Sequence, residues 1–223
     1  ELNKLNMSFR NKVIWITGAS SGIGKALAIE LSNQNALLII SARNKNSLEI
    51  VKESCKNPKN VWIIPLDLEK DTTFNEITQR AVNVFGRIDV LVNNGGISQR
   101  SLATETHISV DKKIMEVNYI GTIALTKALL PHFIENKKGH FAVTTSMVGL
   151  IGTPLRSSYA ASKHALHGFF DSLRAAVSDD NIAVSLICPG FDSTNISMHA
   201  LISDGNSLQK IDTATDKCNS PEQ

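Results

Sequence analysis

The 223-residue chain has no run approaching the roughly 18 apolar residues of a membrane span, no block of like charge, no repeat at solenoid period and no linker rich in Pro, Gly and Ser. Each absence removes a class. No membrane segment is predicted, and the first ten residues are polar rather than signal-like. The 23 Lys and Arg are scattered among 21 Asp and Glu, a formal +2 that offers no footprint for nucleic acid. Three cysteines, Cys55, Cys188 and Cys218, are odd in number, lie far apart and form no CxxC or metal-ligand spacing. That usage predicts a reducing, cytoplasmic setting and no metal site. Hydrophobic residues at 42%, charged at 20% and aromatics at only 5% give the balance of a soluble globular protein. At this length one core buries roughly 70% of the unfolded surface, so neither disulfides nor a structural metal is required.

What is present is a rhythm. Apolar, β-rich runs at Val13–Thr17, Ala36–Ser41, Val61–Pro65, Val90–Val92, Phe141–Thr145 and Ala183–Cys188 are mostly continuous rather than alternating, which predicts strands buried on both faces. Amphipathic stretches at Ile23–Ser32, Ser47–Ser54, Thr72–Phe85, Val110–Ile134 and Tyr159–Ser178 separate them. Strand then helix, repeated, predicts an α/β fold with a doubly wound parallel sheet. Asn57-Pro58, Gly86 and Lys137-Lys138-Gly139 supply turns where that scheme needs them. Trp15 and Trp62 are expected in the core. Leu125, Leu129, Phe169, Phe170 and Leu173 are expected to form an apolar face on two long helices, which predicts a homodimer or homotetramer. The expected division is an N-terminal extension over 1–11, in which Met7 is a plausible start, one nucleotide-binding domain over 12–188, and a loop-rich flap over 189–223.

Thr17-Gly18-Ala19-Ser20-Ser21-Gly22-Ile23-Gly24 directly follows a predicted strand and opens a helix. Glycine lets the backbone turn sharply and approach a pyrophosphate, while the helix start offers free N–H groups and a positive dipole end. At the end of the second strand stand Ala42 and Arg43, with no carboxylate from Leu37 to Asn46. An acid there would bond the ribose 2′-hydroxyl of NAD, and an arginine meets the 2′-phosphate of NADP, so NADP(H) is expected over NAD(H).

Tyr159 and Lys163 stand four residues apart at the start of a helix, so both project from one face. Poising a phenol near neutrality needs a shift of about three units, or about 4 kcal/mol, which a nearby lysine and a cationic nicotinamide could supply. Ser146 ends the fifth strand, Asn93-Asn94-Gly95-Gly96 ends the fourth, and Asn118 lies in the helix after it. These positions share the strand-end edge where open parallel sheets bind ligands. His164 and His167, also at helical spacing, have no third ligand and sit beside a lysine, so they are expected to be ordinary helix residues.

Together these residues resemble the short-chain dehydrogenase/reductase superfamily in its single-domain form, with TGxxxGxG and YxxxK motifs, from about Lys12 to about Ile196. Asn93–Ser101 and Tyr159–Leu166 are most similar to the seven-type dehydrogenase/reductase members. The resemblance implies a Rossmann-type fold and a set of roles. Tyr159 would be the general acid or base, Ser146 would bond the substrate oxygen, Lys163 would bond the nicotinamide ribose and lower the tyrosine pKa, and Asn118 would hold a relay water. Gly18, Ser20, Ser21, Gly22, Ile23 and Gly24 would line phosphates and ribose, Asp67 and Leu68 would flank adenine, Asn94 would sit beside the adenosine half, and Gly95 and Gly96 would also bind the cofactor. Pro189, Gly190 and Thr194 match the PGxxxT segment over the nicotinamide. Two departures are NNGG for the usual NNAG, and Asp192 where that segment commonly has an apolar residue. The chain ends about sixty residues after Tyr159, where members of the family usually continue through another helix and a seventh strand.

The implied activity is hydride transfer between NADP(H) and a carbonyl or secondary alcohol carbon. Met147, Val148, Leu150, Ile151, Leu155 and Phe191 make the expected substrate a mainly hydrophobic small molecule. A catalytically silent NADP-binding sensor is the alternative, though a sensor has no physical need of Asn118, Ser146, Tyr159 and Lys163. An epimerase of the extended branch needs more chain after Tyr159 than is present.

Overall fold

The computed structural model describes residues 8–190 and 198–208. Six strands, β1 (Val13–Thr17), β2 (Leu37–Ser41), β3 (Val61–Ile63), β4 (Val90–Asn93), β5 (Gly139–Thr144) and β6 (Ile182–Ile187), form one sheet. Their order is β3-β2-β1-β4-β5-β6 and every pairing is parallel. The six helices are α1 (Gly22–Asn33), α2 (Lys45–Ser54), α3 (Phe74–Phe85), α4 (Ile108–Met115), α5 (Gly121–Glu135) and α6 (Ser157–Ala176).

The continuous apolar runs have the expected cause. Successive side chains of a strand point to opposite faces, and here both faces are covered. Ile14, Ile16, Leu38 and Ile40 pack on one face with Ala28 and Leu31 of α1 and Leu48 and Val51 of α2. Val13, Trp15, Ile39 and Phe141 pack on the other with Ala81 of α3, Leu125 and Leu129 of α5, and Leu166 and Phe170 of α6. Trp15 is fully buried, its indole Nε1 donating to Ser41 Oγ at 2.8 Å. At the opposite end of β1 the buried Asp89 accepts the Val13 N–H at 2.8 Å and the Arg87 guanidinium at 3.1 Å, which ties the base of β1 to β4.

Three expectations are corrected. Trp62 is 55% exposed, because β3 is an edge strand of only three residues and turns that side chain outward. Leu125, Leu129 and Phe170 belong to the chain's own core, and of that group Phe169 and Leu173 are partly exposed. The helix expected over Val110–Ile134 is interrupted by a π turn at Glu116–Ile120, in which the Gly121 N–H reaches back five residues to the Glu116 carbonyl. One extra residue in the turn rotates the helix beyond it, and Asn118 sits inside that turn.

Gly121 opens α5 against the segment after β3. A Cβ there would lie 2.1 Å from the main-chain oxygen of Leu68, a backbone atom with no rotamer to yield. Gly121→Ala is therefore expected to destabilise by at least the roughly 1–3 kcal/mol of ordinary overpacking. A fall in the urea midpoint at unchanged m-value checks it, and a midpoint equal to wild type contradicts the close approach.

Candidate active site

A cleft of about 830 Å³ opens along the C-terminal edge of the sheet. Among the expected residues Gly18, Ser20, Ser21, Gly22, Ile23, Arg43, Asp67, Leu68, Asn94, Gly95 and Gly96 line one reach of it, and Ser146, Tyr159, Lys163, Pro189 and Gly190 the other. Two lie behind the wall. Gly24 supports the turn from below, where a Cβ would come within 2.4 Å of the Gly18 oxygen. Asn118 is buried beneath the loop after β4. Met147, Val148 and Ile151 line the cleft, whereas Leu150 and Leu155 are not among its lining residues. Phe191, Asp192, Thr194 and the segments 1–7 and 209–223 lie outside the described residues.

The glycine turn is held by its neighbours. Gly18 (φ +66°) and Gly22 (φ +52°) adopt left-handed conformations, which glycine enters without steric cost. Thr17 Oγ1 accepts the N–H groups of Asn94 (3.0 Å) and Gly95 (2.9 Å), and the Asn94 carboxamide donates back to the Thr17 oxygen at 3.2 Å. The Ser21 side chain makes no capping bond to α1, and the first turn of that helix carries no acid. Unspent N–H donors at a positive dipole end, with no competing carboxylate, fit a diphosphate. Further along, Arg43 is shared with a smaller hollow of about 310 Å³ that Asp67, Lys70 and Thr73 also line. Lys70 was not anticipated from sequence, since it lies beyond the strand-end motif.

At the other end β5 delivers Ser146 in extended conformation, its Oγ accepting the Val148 N–H at 3.2 Å. Tyr159 and Lys163, 8% and 4% exposed, project from the first turns of α6. Lys163 Nζ donates to the Thr144 oxygen at 2.9 Å and lies 5.7 Å from the centroid of the Tyr159 ring. Burial pushes the phenol above its usual range, against a hydrogen bond with Ser146 and the charge of Arg156. Burial also pulls the lysine down to about 8. Arg156, three residues earlier on the chain and in the cleft wall, lowers the phenol slightly against that burial.

Asn118 is held by its neighbours. Its Oδ1 accepts the Ile97 N–H at 2.8 Å, and its Nδ2 donates to the Ile97 oxygen at 2.9 Å and to Ser162 Oγ at 3.0 Å. Ser162 Oγ in turn donates to the Tyr159 carbonyl at 2.8 Å. The carboxamide therefore clamps the loop after β4 to α6. Arg156 and His199 also line the cleft and were missed. Arg156 carried a weak signal in its i,i−3 spacing to Tyr159; His199 carried none.

The buried lysine gives stability a signed pH dependence. Below pH 8 it is charged in both folded and unfolded chains, and between pH 8 and about 10 the unfolded chain holds more protons. Stability therefore rises with pH in that window. Measured against Lys163→Met, which lacks the titration, wild-type unfolding free energy should climb by roughly 2 to 3 kcal/mol from pH 7.5 to 10. Denaturation series on both proteins check this, and parallel pH curves would show that Lys163 is not depressed.

The chain matches the short chain dehydrogenase family over residues 12–203. It is 46% identical over 195 residues to human dehydrogenase/reductase SDR family member 7, covering 85% of this chain and 58% of that protein. The chain thus spans somewhat under three fifths of that relative's length. Among solved structures it superposes on ElxO with NADP bound at a TM-score of 0.79 and 31% identity, covering 82% of this chain and 75% of that one. It superposes on NAD+-bound xylitol dehydrogenase at 0.78 and 26%, covering 83% and 72%. On the sheet order, the glycine turn, the Ser-Tyr-Lys wall and these matches, the chain belongs to the short-chain dehydrogenase family.

Proposed function

We propose that this chain is an NADP(H)-dependent oxidoreductase acting between a carbonyl and a secondary alcohol of a mainly hydrophobic small molecule. The observation that carries the reading is one continuous cleft with the glycine turn at one end and Ser146, Tyr159 and Lys163 at the other. Gly18, Ser20, Ser21, Gly22 and Ile23 would hold the diphosphate, Asp67 and Leu68 the adenine side, and Lys163 the nicotinamide ribose. Gly96, where a Cβ would come 3.1 Å from Asn118 Oδ1 and 3.8 Å from Lys163 Nζ, leaves the floor open beside that lysine. A nicotinamide dinucleotide bound there supplies or accepts a hydride.

The protein's part is to hold and move one proton. Ser146 Oγ is placed to hold the substrate oxygen, and Tyr159 to give that oxygen its proton in reduction or take it in oxidation. Burial raises the phenol above its usual range, so Tyr159 carries the proton at neutral pH. Exposed Met147 (46%) and Ile151 (69%) on the cleft rim present apolar surface that a hydrophobic substrate would cover.

Arg43 is the basis for NADP(H). A guanidinium can form charge-assisted bonds to a 2′-phosphate that NAD lacks, each worth roughly 1.5–3 kcal/mol and so about a ten- to hundredfold preference. A cytoplasmic setting and a homo-oligomeric state belong to the same proposal.

The test is NADPH oxidation followed at the nicotinamide absorbance band across ketones, aldehydes, steroids and sugars. Tyr159→Phe should cut turnover about 10²–10⁴-fold while NADPH affinity stays near wild type; full turnover by that variant would remove Tyr159 from the chemistry. Ala42→Asp with Arg43→Leu should invert the cofactor preference in binding titrations at fixed ionic strength. Wild-type protein that holds NADH as tightly as NADPH would overturn the NADP(H) assignment.

A further inference from the structure

Among the pieces of chain that wall the Tyr159 end of the cleft are Ser98 from the loop after β4, Tyr159 from α6, and His199 from the described part of the flap. One residue outside the cleft links them: its side chain bonds α6 and its own loop, and its backbone is bridged to the flap. Gln99 is 0% exposed and is not among the lining residues. Its Oε1 accepts the N–H of Ser158, 59 positions away, at 3.0 Å. Its Nε2 donates to Thr106 Oγ1 at 3.1 Å, Ser101 Oγ at 3.2 Å and the Ser101 oxygen at 3.4 Å. Its backbone is bridged to Leu201 of the flap, through Leu201 N–H to the Ser98 oxygen and Arg100 N–H to the Leu201 oxygen, both at 2.8 Å.

The Ser158 bond matters most. The N–H groups of a helix's first turn have no partner within the helix, and Arg156, the N-cap of α6, makes no side-chain capping bond. Gln99 supplies that cap from a distant loop, at the residue next to Tyr159. Ser158 is fixed a second time through its hydroxyl, which donates to Asp111 on α4. A buried carboxamide with both ends engaged holds one geometry, because shifting it strands a donor or an acceptor away from water.

We infer that Gln99 is the positioning residue of the substrate end, joining the flap and the catalytic helix so that His199 and Tyr159 keep a fixed relation across the bound substrate. The substrate part of this inference rests on the proposed oxidoreductase reading; the positioning part does not. Displacement of a reacting group by about 1 Å costs about 10²-fold in rate, so the bond acts on turnover although Gln99 touches no reacting atom.

The experiment uses Gln99→Met, which keeps length and volume but loses both polar ends, and Gln99→Glu, which keeps the acceptor for Ser158. Amide hydrogen exchange needs no substrate. Gln99→Met should raise exchange at 157–162 by roughly tenfold, about the worth of one hydrogen bond, and at 199–203 by a smaller factor through the loop that the Gln99 amide pins, while β1 and α1 stay at wild-type protection. Gln99→Glu should restore protection at 157–162. With a substrate in hand, and active sites counted by NADPH titration, Gln99→Met should lose about 10²-fold in kcat per site with NADPH affinity unchanged, and Gln99→Glu should recover part of it. If Gln99→Met fails to fold, Thr106→Val, which removes one Nε2 partner on the surface side, should show the same exchange pattern at smaller amplitude. Unchanged exchange in either segment, or exchange raised equally throughout, overturns the inference. A protein that passes the exchange test and reduces nothing with NADPH would instead refute the oxidoreductase reading and leave the positioning intact.

Discussion

The cleft depends on two backbones passing at van der Waals distance. A Cβ on Gly18 would lie 2.7 Å from the Cα of Gly95, so the turn after β1 and the loop after β4 meet with no side chain between them. This is the point where the strand order reverses, and the crevice of a doubly wound sheet opens there. Thr17 and Asn94 close the contact with a reciprocal set of bonds, the hydroxyl of one taking backbone N–H groups of the other loop and the amide of the other returning to the first. Every other wall is placed relative to this crossing. Gly24 lets α1 leave at the angle that keeps its N-terminus aimed into the cleft, and Leu68, packed within 2.8 Å of where a Gly95 Cβ would stand, carries the crossing outward to the far wall.

The catalytic end is governed by burial rather than by close approach. Lys163 and Tyr159 are both nearly sealed from solvent, and desolvation moves each toward its neutral form: the lysine down, the phenol up. The resulting pair at neutral pH is a protonated phenol beside an ammonium held at some cost, stabilised by the Thr144 carbonyl. Such a pair is sensitive to any charge brought into the cleft. A cation near the phenol favours the phenolate and an anion near the ammonium favours its protonated form. Arg156 already acts in the first sense.

How much of this was legible in the sequence depends on which features leave a local trace. The strands did, because burial on both faces demands unbroken apolar runs, and the glycine turn did, because positive φ and close approach exclude other residues at fixed spacing. The Tyr-Lys pair did through helical spacing. The π turn left none, since one added residue in a helix of mixed polarity barely disturbs the period. Trp62 misled because an aromatic in a β-rich run reads the same in a central strand as at an edge. Leu125, Leu129 and Phe170 misled for the opposite reason: a long apolar helix face is equally suited to its own sheet and to a second subunit, and only the packing decides. His199 and Gln99 act through contacts distant in sequence, which no spacing rule encodes.

The two ends of the cleft are therefore built on different physics, and they should tolerate change differently. The phosphate end is steric. Its function lies in where backbone atoms run, so adding one methyl at Gly18 or Gly24 meets backbone within 3 Å, and the only relief is to move a strand end. The substrate end hangs from side-chain hydrogen bonds, Asn118 to Ile97 and Ser162, Gln99 to Ser158, Ser158 to Asp111. Each is a directional bond between side chains and loops, so its loss strands a donor or acceptor locally and leaves the strand pairing beneath in place. The rim residues Met147 and Ile151 are the freest of all, since they are exposed and bear no part of the core. Substitution there changes the apolar surface offered to a substrate and leaves the crossing of Gly18 and Gly95 untouched.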